Sequence, residues 1–74
     1  MKNPDPIIQN AIAANLAALT QRLTQAAERA KASHEAMQAG EQNQAIGTII
    51  DFESLLPEAQ ALYNAALALH RGRV

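Results

Sequence analysis

The chain has 74 residues, six basic and seven acidic side chains for a net charge of −1, and no cysteine. That length caps it at one domain, the missing thiols exclude disulfides and cysteine-held metals, and the balanced charge offers no electrostatic ground for binding nucleic acid or an anionic membrane. Hydrophobic residues make up 49% but aromatics only 3%. Alanine dominates the apolar set, and alanine, leucine, glutamine, glutamate and arginine are good helix formers, so the expected fold class is all-α.

The opening residues MKNPDP lack the apolar core of a secretion signal, which points to the cytoplasm. Asp5 before Pro6 is a good N-cap and first-turn pair, so the first helix is expected from about residue 6 to residue 39. Its most apolar stretch, IIQNAIAANLAAL, is too short to span a membrane and carries Gln9, Asn10 and Asn15; no membrane association is expected. In AGEQN, Gly40 suits the left-handed position after a helix end, giving a turn at residues 40–42. Asn43, or Glu41, then caps a second helix over about 43–70, with Gly72 as its stop. A turn this short makes the helices antiparallel neighbours, so residues 1–74 read as a single helical-hairpin domain.

Heptad spacing marks the faces. Ile12, Leu16, Leu19, Leu23, Ala26, Ala30, Ser33 and Met37 alternate steps of four and three; Ala45, Thr48, Phe52, Leu55, Ala59, Leu62, Ala66 and Leu69 do the same in the second helix. Both are a/d seams of left-handed helix packing. The second seam passes Pro57 without losing phase and leaves the proline outermost. A continuous helix kinked at Pro57 is expected, the alternative being a true break and a three-helix monomer. Gly40, Ala45 and Pro57 are spaced like the glycine, alanine and proline in the second helix of a tetratricopeptide repeat. That likeness covers one unit of about 34 residues with no second copy, so it reads as coincidence among helical hairpins.

The two flanks of the hairpin differ. On one, Arg29 is expected near Asp51 and Arg22 near Glu58. On the other, Ile49, Leu56, Tyr63 and His70 recur every seven residues, facing Ala13, Thr20, Ala27 and His34. A lone hairpin cannot cover that apolar flank, whereas two packed face to face can, as a four-helix bundle. The expected interface is therefore Ile49, Leu56 and Tyr63 with Ala13, Thr20 and Ala27. Ile46 and Ile50, one turn apart and outside this row, either widen that interface or form a patch for a different protein partner. Leu67 and Ile7 are also expected outside the seams. Gly47 is either a tolerated surface glycine or a point of close backbone approach, near Ala36 or Met37 or to a second subunit.

Chemistry is sparse. His34 and His70 lie at opposite ends of the hairpin without a second ligand at helical spacing, and Asp51, Glu53 and Glu58 point to different faces. No catalytic residue, cofactor site or metal site is expected, and no enzyme activity. The nucleic-acid candidates are Arg22, Arg29, Lys31 and the tail HRGRV, which make no uncompensated basic stripe. The layout is similar to that of the plasmid copy-number regulator Rop, a dimeric helical hairpin that grips RNA, but no residue motif carries over. The expectation is a homodimeric accessory or adaptor protein with a heterologous protein partner, nucleic acid not being expected. A dimeric nucleic-acid-binding regulator is the alternative, and a secretion co-chaperone a further one.

Overall fold

The computed structural model describes residues 5–72. Pro6–Gln38 form α1, Gln42–Ile49 form α2 and Phe52–Arg71 form α3. α1 starts where Asp5 caps it: the Asp5 carboxylate accepts the Ile7 amide at 2.9 Å, and Pro6 occupies the first turn, where no helical acceptor exists for an amide. Its end is a left-handed glycine turn. Gly40 has φ of +81°, its amide donates to the Met37 carbonyl, and the Glu41 amide reaches back to Ala36 at 2.9 Å. That pair of bonds satisfies carbonyls the helix end would leave open. Because the turn is used up by Glu41, the chain re-enters helix at once. Glu41 is the N-cap, without a side-chain capping bond, and Asn43, expected in that role, lies inside α2.

The return arm is interrupted, though not at Pro57. α3 runs through the proline, and the interruption falls at Ile50–Asp51. Both residues keep near-helical angles (φ −63°, ψ −25° and φ −64°, ψ −11°), but the Glu53 amide donates to Ile50 at a three-residue step before the four-residue ladder resumes with Leu55 to Asp51. The run Gly47-Thr48-Ile49-Ile50-Asp51 combines glycine, three β-branched residues and an aspartate, all weak in a helix interior. Pro57 sits among Leu56, Glu58 and Ala59, and exposed on the outside of the arm. The backbone yields where five weak residues adjoin rather than at a single misfit among strong ones. Gly72, at φ +70°, closes α3 with its amide on the Leu69 carbonyl.

α1 packs against both α2 and α3 in a hairpin 58 Å long and about 16 Å across. The radius of gyration is 16.9 Å, against about 11 Å for a compact domain of this length. So extended a shape buries little. The buried apolar residues among those described are Ala26, Ala36, Ala45, Leu55, Ala59 and Ala66, and no large side chain is fully buried.

The seam of α1 also differs from the heptad expectation. Its inward residues are Ile12, Asn15, Leu19, Arg22, Ala26, Arg29, Ser33 and Ala36, which retain one expected row and exchange the other for its neighbour. The helix is turned by about 50°, taking 3.6 residues per turn. Leu16, Leu23, Ala30 and Met37, expected in the seam, are exposed instead. Small residues explain the turn. Five alanines and Ser33, with Leu55 the one larger buried residue among those described, line the contact, and the Ser33 hydroxyl donates to the Ala45 carbonyl at 2.7 Å. Backbones held this close leave no room for a row of leucine and methionine between them. Arg22 and Arg29, both half-buried, occupy that row and place their guanidinium groups on Glu58 and Asp51.

Candidate interaction face

The register of the hairpin follows from three cross-arm contacts. Arg22 Nε meets Glu58 Oε1 at 2.8 Å, Arg29 meets Asp51 at 2.6 Å, and Ser33 meets Ala45. Both expected ion pairs form. Their side chains remain a third to a half exposed, so each contributes at most about 1 kcal/mol and chiefly marks register. Polar seam residues are otherwise satisfied locally: the Asn15 side-chain amide donates to the Ala11 carbonyl at 3.0 Å. No buried side-chain nitrogen or oxygen among the described residues lacks a partner.

On that register Leu16 lies level with Tyr63, Leu23 with Leu56, and Ala30 with Ile49. All six occupy the flank away from the arginine row, by the helical spacing of each arm. Leu16, Leu23, Leu56 and Tyr63 each leave 48–50% of their surface exposed, and Met37 extends the α1 row toward the turn. Ile49 is half-buried. Ala13, Thr20 and Ala27 are exposed beside the leucine row, and the Thr20 hydroxyl is returned to its own helix at the Leu16 carbonyl. The flank is thus wider than the sequence suggests: the turn of α1 moves a second apolar row onto it. Sequence periodicity identified Leu16 and Leu23 as apolar-face residues but assigned them to the internal seam. The signal that reassigns them is the concentration of alanine and Ser33 in the two seams.

Outside the flank, Ile46 and Ile50 are exposed on α2 and its joint to α3, and Ile7 is exposed at the start of α1. Leu67, expected outside, is half-buried. A β-carbon added at Gly47 would meet nothing within 4 Å, so no close approach to Ala36 or Met37 occurs within the chain. His34 and His70 are both exposed. An open hollow of about 320 Å³ lies between the start of α1 and the end of α3, lined by Ile8, Ile12 and Leu69 with Asp5, His70 and Arg71 nearby. No helix of the described residues is long and apolar enough to cross a membrane.

Compared with protein-family models, curated proteins and solved structures, the chain matches none.

Proposed function

We propose that this chain is a small non-enzymatic interaction protein that works as a self-associating helical hairpin. Two copies bury the apolar flank in a four-helix bundle, and the outer surface, with Ile46 on α2 and Ile50 at its joint to α3, serves a protein partner as an adaptor would. The observation that carries this reading is the flank itself. Leu16 with Tyr63 and Leu23 with Leu56 are half-exposed at two matched levels, while the internal contact buries mostly alanine.

The nucleic-acid reading has less support, because Arg22 and Arg29 are engaged by Glu58 and Asp51. Incubation with total RNA separates the two: a salt-dependent mobility shift would favour the regulator, since phosphate contacts release counterions. Self-association is tested by thermal unfolding followed by circular dichroism. Over a roughly 100-fold range of protein concentration the midpoint should rise, as mass action requires of a dimer. The rise should vanish in Leu56→Asp. A fully helical wild type with a midpoint independent of concentration would refute the reading.

A further inference from the structure

Two hairpins can meet on this flank in two ways related by a two-fold axis. With the turns at the same end, α1 of each copy faces the return arm of the other. With the turns at opposite ends, α1 faces α1 and the return arm faces its own copy. The bulk of the flank is graded along its length: Leu16 with Tyr63 is the largest level, Leu23 with Leu56 is intermediate, and Ala30 with Ile49 is the smallest. Turns at one end would stack large on large and small on small, leaving a bundle crowded toward the open end and hollow toward the turn. Protein interiors tolerate neither the strain nor the void.

We propose that the second copy docks with its turn at the opposite end, so that Leu23 and Leu56 lie near the two-fold axis. Leu16 then lies over the partner's Ala30, and Tyr63 over the partner's Ile49. Each outer layer contains one Leu, one Tyr, one Ala and one Ile, and the central layer four Leu, so bulk is even along the bundle. This inference rests on the self-association reading and adds the orientation to it. It also gives Ala30 a role: the one small residue in the row Leu16, Leu23, Ala30, Met37 is the recess that receives the partner's Leu16.

Disulfide trapping tests it cleanly, because the chain has no native cysteine. Under mild oxidation Leu23→Cys alone should convert to covalent dimer, since two copies of one residue meet at the axis. An equimolar mixture of Ala30→Cys and Leu16→Cys should give the mixed disulfide, and a mixture of Leu16→Cys and Tyr63→Cys should not. The reduced variants are first shown by sedimentation to associate as the wild type does. If Leu23→Cys alone disturbs association, the Ala30→Cys and Leu16→Cys mixture decides. Efficient trapping of Leu16→Cys with Tyr63→Cys, without self-trapping of Leu23→Cys, would overturn the orientation while leaving the dimer intact. A wild type that sediments as monomer, with no pair trapped, would overturn both.

Discussion

At the residue scale, Ser33 and Gly47 are the informative positions. Ser33 is the one buried polar residue among those described, and its hydroxyl donates to the Ala45 carbonyl at 2.7 Å. Ser33→Ala should cost about 0.5–1.5 kcal/mol in urea unfolding, the net value of one such bond. Ser33→Leu should cost more, about 1–3 kcal/mol, because the added bulk must part the helices. Gly47 gives the opposite sign. With open space where its β-carbon would be, Gly47→Ala should stabilise the chain by up to about 1 kcal/mol, the difference in helix propensity. A loss of stability there would mean that something packs against the glycine. The Arg22–Glu58 pair is a register mark: a double-mutant cycle should return no more than about 1 kcal/mol, falling as salt is raised.

At the element scale, what was legible in the sequence depended on how local the cause was. The start at Asp5-Pro6, the turn at Gly40 and the stop at Gly72 are each written in one or two residues, and each is found there. The faces of the return arm were legible from its heptads, since Ala45, Leu55, Ala59 and Ala66 are all buried. The seam of α1 was not. Two rows, Leu16-Leu23-Ala30-Met37 and Asn15-Arg22-Arg29-Ala36, compete for it, and periodicity favours the more apolar one. The outcome is decided across the interface, where closely approaching alanines exclude the larger row. Continuity through Pro57 is as expected, whereas the joint at Ile50–Asp51 is not, for a related reason. Proline is the strongest single breaker, but Gly47 to Asp51 act as a group. Pro57→Ala restores an amide that can reach the Glu53 carbonyl, so it should stabilise the fold, by up to about 3 kcal/mol. It should leave the joint at Ile50–Asp51 in place. Amide exchange at residues 51–53 that becomes as slow as in the middle of α3 would show instead that the proline governs the joint.

At the scale of the whole molecule, the features converge on incompleteness. The hairpin is long and thin, its buried contact is mostly alanine, and Leu16, Leu23, Leu56 and Tyr63 stay half-exposed along one flank. A chain of this size cannot draw much stability from such a contact alone; in the proposed dimer a second copy would supply the missing layer. Leu56→Asp, on the flank but outside the seam, should therefore weaken association by about 2 kcal/mol or more, as expected for a central interface residue. Arg29→Ala, on the other side, should leave association unchanged. Sedimentation equilibrium of the wild-type chain at micromolar concentration is the most direct test. The expected result is twice the 7.9 kDa chain mass; a folded, fully helical species at the single-chain mass would contradict it.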